Sequence, residues 1–231
     1  MYNTKRIIES NPKLKCVMKR INVGCGMTPT LGWVNFDNSL SIKISVFPWL
    51  CKILFFAKIL RVPNYEFIKF AQKNKIYWAD VTKKIPLPDN SVEVLYSSHM
   101  LEHLDRSEVK IFLKEAKRVL VIGGIIRVLV PDVAKLLKNY HESGDADLFI
   151  ESTHLCISKP RTLTERIRFL LVGTRQHQWM YDSNSLCNFL HICGFGDPKS
   201  LNPGHSRILN PEPLDLYERE DESLYVEAIK L

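Results

Sequence analysis

The residues best suited to chemistry stand early in the chain, where Arg20-Ile21-Asn22-Val23-Gly24-Cys25-Gly26-Met27 runs a short apolar strand into a Gly-x-Gly turn. Eleven positions beyond Gly26, Asp37 closes a second extended run, Gly32-Trp33-Val34-Asn35-Phe36-Asp37. Glycine at a strand's end lets backbone approach a ligand where a side chain would block it. A carboxylate at the tip of the neighbouring strand can take both hydroxyls of a ribose. This pattern predicts a nucleoside site in an α/β sheet. Three further polar residues close extended runs of their own: Asp80, Ser98 and Asp132.

These residues need a scaffold, and the periodicity supplies one. Lys75 to Asp80 and Ser91 to Ser98 read as strands, with a turn-rich Ile85-Pro-Leu-Pro-Asp-Asn90 between them. Asp105 opens a helix with Glu108 as a capping box, and Val109, Phe112, Leu113, Ala116, Val119 and Leu120 fall on one face. Gly123-Gly124 is expected to stop it, before a continuous apolar strand, Ile125 to Val130, that ends at Pro131-Asp132. A second helix starts near Asp182 or Ser183 and ends at Gly194, and Ser223 to Lys230 reads as a last strand. Alternating strands and helices imply a largely parallel sheet with its ligand at the carboxyl ends of the strands. Two stretches break the pattern, 38–74 and 141–181, and both read as insertions covering the substrate side of one domain spanning 1–231.

The 231 residues carry a net charge of +7, which suits an anionic partner. No basic cluster interleaved with aromatics is present, so nucleic acid ranks lowest among such partners. Six cysteines without a Cys-x-x-Cys pair, and an N-terminus without the apolar segment of a signal peptide, point to a reducing, cytoplasmic setting.

Taken in order, Ile21-Asn-Val-Gly-Cys-Gly26 with Gly32 to Asp37, Ala79-Asp80, Ile85 to Leu95, His99-Met-Leu-Glu-His-Leu104, Glu115 to Gly124, His177-Gln-Trp-Met-Tyr-Asp182 and Gly194-Phe195 resemble the class I S-adenosylmethionine-dependent methyltransferases, in particular the small type-11 branch. The resemblance spans most of residues 20 to 195. It implies a Rossmann-like α/β fold with a mostly parallel seven-stranded sheet, and S-adenosylmethionine as cofactor. It also implies that Val23, Gly24, Cys25 and Gly26 face the methionyl part, Asp37 the ribose, Asp80 and Val81 the adenine, and Ser97 and Ser98 the reacting sulfonium. The sequence departs from the family where Pro29 and Gly32 crowd the interval before Asp37, so the first helix is expected to be shortened.

For the acceptor, the expectation is O-methylation of a small or glycan-type molecule, acidic or phosphorylated. Five cations, Lys159, Arg161, Arg166, Arg168 and Arg175, motivate it. The resemblance leans the same way, since this branch often accompanies polysaccharide synthesis. An oxygen acceptor must lose a proton, and His99 or His177, helped by Asp132, is the expected base. His103, Trp179, Tyr181 and Arg175 are the expected substrate contacts. The competing reading of His103 is a structural imidazole bonded to backbone, that of Trp179 and Tyr181 is core packing, and that of Asp132 is a helix cap.

Three other functions are set against this. A nicotinamide enzyme would need a third glycine where Pro29 stands. His99-x-x-Glu102-His103 matches an inverted zinc-peptidase pattern, but it has only a turn or two of helix to stand on, and no metal is expected. A non-catalytic partner that binds the cofactor or joins a membrane-linked complex is the third. Residues 47–62, bracketed by Pro48 and Pro63, read as a mostly apolar helix too short to span a bilayer. Packing on the domain or on a second subunit is the first expectation for it, and peripheral membrane contact the alternative.

Overall fold

The computed structural model describes residues 19–56, 62–156 and 176–231. Seven strands form one sheet: β1 (Lys19–Val23), β2 (Val34–Asp37), β3 (Tyr77–Trp78), β4 (Val92–Ser98), β5 (Leu120–Pro131), β6 (Phe195–Leu201) and β7 (Ser223–Lys230). Their order is β3-β2-β1-β4-β5-β7-β6. β1 to β5 pair in parallel, and β7 runs antiparallel to both neighbours. The order reverses between β1 and β4, which opens a crevice at the carboxyl ends of those two strands. The expected mostly parallel seven-stranded Rossmann-like sheet is therefore present.

Helices cover one face. α4 (Arg106–Val119) starts at Asp105, whose carboxylate accepts from the Ser107 and Glu108 amides while Glu108 closes the capping box. It buries Val109, Phe112, Leu113, Ala116 and Val119, the stripe read from the sequence. α7 (Ser183–Ile192) begins at Asp182 and buries Leu186, Phe189 and Leu190. These side chains, with Ile21, Val23, Leu95, Ile126 and Val128, make the main core. Between them in sequence lie α5 (Val133–Ser143), capped by Asp132, and α6 (Ala146–Thr153).

The opposite face is covered differently. Residues 24–33 form turns and no helix joins β1 to β2, so the first helix, expected to be shortened, is missing altogether from the crowded interval before Asp37. The irregular segment 202–222 lies there instead, setting Ile208 and Leu214 against Val94, Tyr96, Leu129 and Tyr225. Polar anchors hold it: Arg20 donates to the Leu209 and Asn210 carbonyls, and Arg127 to the His205 carbonyl. Arg127 is fully buried and pairs with the equally buried Glu227 at 2.7 Å. Glu227 in turn accepts from Ser206 Oγ and the Arg207 amide.

Several boundaries differ from the sequence reading. The strand expected over Lys75 to Asp80 is only Tyr77–Trp78, because the Ile76 amide is taken by the Ala71 carbonyl of the preceding helix. Gly123-Gly124 does not end α4. The chain turns extended at Leu120, and both glycines lie inside β5. The 38–74 stretch is helical: α1 (Leu40–Ser45), α2 (Pro48–Phe56) and α3 (Val62–Lys73). The expected helix over 47–62 is thus α2 and the start of α3, with 57–61 outside the described residues. α1 and α3 pack Ile42, Phe67, Phe70 and Ala71 around Ile76 and Cys25, so this insertion walls the glycine turn at the sheet's β3 edge. Among the described residues no helix is long and apolar enough to cross a membrane.

Candidate active site at the carboxyl ends of the central strands

At the end of β1 the backbone takes positive φ, +71° at Gly24 and +49° at Gly26. Only glycine adopts this region without strain. The Gly24 and Cys25 amides both donate to the Phe36 carbonyl of β2, which locks the turn to the neighbouring strand. The Gly26 amide donates to Asp37 Oδ2 at 3.0 Å, and the Ser39 amide to Oδ1 at 2.8 Å. The Asp37 carboxylate is thus held in place by one bond to each oxygen. A carboxylate has about four acceptor positions, so room for ribose hydroxyls remains. Among the described residues nothing lies within 4 Å of a Cβ built on Gly26, so the turn has open space above it there. Gly24 is covered instead by the Met100 side chain.

Cys25 is buried at 3% exposure, and burial, with the nearby Asp37 charge adding to it, pushes its thiol well above the ordinary range. It lines the turn and is no nucleophile. Burial works to raise the Asp80 carboxyl, but hydrogen bonds from Lys83 and Thr82 outweigh it and hold that group below the ordinary range. Val81 behind it is buried. At the end of β4, Ser97 is fully buried and its Oγ has no hydrogen-bond partner among the described residues, whereas Ser98 Oγ donates to Glu218. Tyr96 shares that acceptor at 2.6 Å. Val23, Gly24, Cys25, Gly26 and Asp37 thus gather at one end of the sheet, with Ser97 and Ser98 on the next strand. An unpartnered buried hydroxyl, a glycine cradle and an oriented carboxylate fit a sulfonium nucleoside.

The turn after β4 is a single 3-10 turn, Leu101–His103, as the small space before the Asp105 cap dictates. His99 Nε2 lies 2.8 Å from Ser223 Oγ and its Nδ1 3.3 Å from Glu102 Oε1. His103 Nδ1 reaches the Gln176 carbonyl at 3.2 Å, the backbone-bonded imidazole of the alternative reading. The Glu102 carbonyl accepts from the Gln178 and Trp179 amides, so residues 176–179 are strapped across the turn. This brings His177 to His103, edge-on with ring centroids 5.0 Å apart. Burial lowers the His177 pKa, with the Glu102 carboxylate opposing it. Arg106 lies 5.0 Å from the Trp179 ring centroid and 5.7 Å from that of Tyr181. Tyr181 is fully buried, while Trp179 is half exposed. Asp132 Oδ1 caps α5 through the Ala134 amide, and among the described residues no hydrogen bond or ion pair joins it to His99 or His177. Arg175 and the other four cations of its stretch lie outside the described residues.

Met100, Arg106, Glu218 and Ser223 were not singled out by sequence reasoning. Met100 stands inside the His99–His103 motif, and Arg106 directly follows the Asp105 cap. Glu218 and Ser223 had no sequence signal, since their partners are more than a hundred residues away.

A sequence model of the family described as "Methyltransferase domain" matches residues 61–128, under a third of the chain. The match and the strand order bear out the resemblance to class I methyltransferases, enzymes that take S-adenosylmethionine as cofactor. A comparison with curated proteins gave no significant match. Among solved structures, the chain is similar to a methyltransferase from Thermotoga maritima described as a possible histamine N-methyltransferase, at 14% identity over 94% of this chain and 86% of that one, with a TM-score of 0.48. It is also similar to methyltransferases from Archaeoglobus fulgidus (14%, 98% and 92%, 0.48) and Methanosarcina mazei (14%, 92% and 92%, 0.49). Likenesses this distant say nothing of the acceptor.

Proposed function

We propose that this chain methylates an oxygen of a small or glycan-type acceptor that is acidic or phosphorylated. The observation that carries the cofactor half is the Gly24–Gly26 turn joined to Asp37 through the 3.0 Å bond from the Gly26 amide, beside the crevice where the strand order reverses. When bound, S-adenosylmethionine supplies the methyl group already activated on a sulfonium. The protein's part is alignment, which contributes several kcal/mol when reacting atoms are held in line. Gly26 clears the approach, Gly24 lets the turn pass beneath Met100, Asp37 orients the ribose, and Asp80 and Val81 border the base. Ser97 and Ser98 stand by the acceptor. An acceptor hydroxyl must also lose its proton, and His99, directly after Ser98, or His177, on the strap across the following turn, is the base of this reading.

The acidic acceptor rests on the net charge of +7 and on the run of cations from Lys159 to Arg175. A cytoplasmic location belongs to the same reading. Calorimetric titration with S-adenosylmethionine and S-adenosylhomocysteine tests the cofactor half, and no heat with either would overturn it. Turnover assays with matched acceptors, with and without phosphate, test the other half. Undiminished turnover after replacing both His99 and His177 would remove them as bases.

A further inference from the structure

Glu102, His103 and His177 each point one potential ligand atom at the others, and all three atoms lie within 4.8 Å of one another. Glu102 is 1% exposed, and among the described residues neither of its carboxylate oxygens has a hydrogen-bond partner. His177 is 8% exposed, and among the described residues its Nδ1 has none either. Buried polar atoms are nearly always satisfied, and a buried carboxylate that accepts no hydrogen bond is costly. His99 Nδ1 stands 3.3 Å from Oε1, within ion-pair distance, and Oε2 accepts no hydrogen bond among the described residues.

The tautomer of His103 adds a second, independent argument. Facing a carbonyl, its Nδ1 must carry the proton and donate to Gln176, which leaves Nε2 with a free lone pair. Metal-ligating histidines typically fix one ring nitrogen in this way and present the other. We propose that Glu102 together with His103 Nε2 and His177 Nδ1 forms a site for one divalent transition-metal ion, zinc foremost. Two imidazoles and a carboxylate are a zinc donor set that leaves one coordination position open.

The separations decide what must move. Ligand atoms about 2.0–2.1 Å from a tetrahedral ion sit about 3.3 Å from each other. The three ligand atoms, now within 4.8 Å of one another, must close to that value to hold an ion. The straps from the Glu102 carbonyl to the Gln178 and Trp179 amides already hold the two chain segments together. The ligand set differs from the inverted-peptidase pattern in the sequence, since His99 is replaced by a histidine 74 positions after His103. His99 instead braces the carboxylate while Ser223 holds its other nitrogen. The site lies just past β4, whose end also borders the glycine turn. An open position there suits an oxygen of the acceptor, and this last point rests on the methyltransferase reading.

The test uses the full, tag-free chain, stripped with chelator and titrated with Zn²⁺ or Co²⁺ alone. Elemental analysis after desalting should find one ion per chain, and Co²⁺ should give the visible bands of a four- or five-coordinate site. His103→Ala and His177→Ala should each weaken binding at least a hundredfold, and His205→Ala should leave it unchanged. His177→Cys should restore binding and add a sulfur-to-cobalt absorption, which a structural role for His177 would not produce. No retained metal, or equal retention by the His103→Ala/His177→Ala double variant, overturns the site. Titrating S-adenosylmethionine into the same samples separates the two readings. Cofactor binding without metal sinks this proposal alone, and metal binding without cofactor sinks the methyltransferase reading alone.

Discussion

A Cβ placed on Gly24 would lie 2.8 Å from Cγ and Sδ of Met100 and 2.9 Å from its Cβ, so the first glycine of the turn is packed directly beneath that side chain. The contact joins the end of β1 to the turn after β4 across the crevice. Met100 is flexible and polarizable, the kind of side chain that fills irregular gaps and gives way readily.

Gly24→Ala should therefore cost more than Gly26→Ala, although both sites have positive φ. The left-handed conformation alone costs roughly 1–2 kcal/mol for a residue with a Cβ. Gly24→Ala adds the clash with Met100: the Cγ and Sδ atoms can rotate away, but the Cβ at 2.9 Å is fixed to the backbone and cannot. Chemical denaturation of both variants checks this. Met100→Ala should recover part of the Gly24→Ala loss and none of the Gly26→Ala loss. Equal costs at the two glycines would contradict the packing described.

Asp37→Ala removes the acceptor of the Gly26 and Ser39 amides and the expected ribose contact together. Hydrogen bonds to a charged group contribute about 1.5–3 kcal/mol. S-adenosylmethionine should therefore bind roughly tenfold to a hundredfold more weakly. Asp37→Asn keeps one acceptor oxygen and should fall between. Calorimetry on the three proteins reads the order directly, and unchanged affinity in Asp37→Ala would remove that residue from the site.

Arg127→Met leaves Glu227 buried with its charge uncompensated, because the pair is fully enclosed. Breaking such a pair from one side costs about 3–5 kcal/mol. The loss should appear as a lower urea midpoint at neutral pH. Adding Glu227→Leu should recover part of it, although Ser206 and the Arg207 amide then lose their acceptor.

Glu115 accepts from Arg118 and from the Ile85 amide. The Arg118 hydrogen bond is the largest cause of its lowered pKa, with burial working against it. A carboxylate whose folded pKa is depressed stabilises the fold fully above the unfolded value, and that contribution is lost as pH falls through the folded one. Glu115→Gln should accordingly be less stable than the parent at pH 7. The gap should close below about pH 4, the ordinary carboxylate range. Denaturation curves at both pH values decide it, and a gap constant with pH would show that ionisation plays no part.

The residues that proved legible are those whose signal is short in range. The Asp105–Glu108 capping box and the α4 stripe depend on spacings of three and four, which a helix turns into neighbours. Gly24, Gly26 and Asp37 could be read because the turn and the strand after it are adjacent in the chain. The same locality explains the misses. Gly123-Gly124 looks like a helix stop, yet β5 accommodates both, since pairing with strands distant in sequence outweighs local propensity.

What the chain alone determined, then, is the alternation of strands and helices, the bare turn with its acid, and the cap residues, all features set by neighbours within a few positions. Only tertiary structure brought Glu218 to Tyr96 across 122 positions, laid the 176–179 strap on the Leu101–His103 turn, and turned Glu102, His103 and His177 toward one point. Such meetings depend on how the chain returns over the sheet after each crossover. Side-chain types and short spacings carry no record of that path.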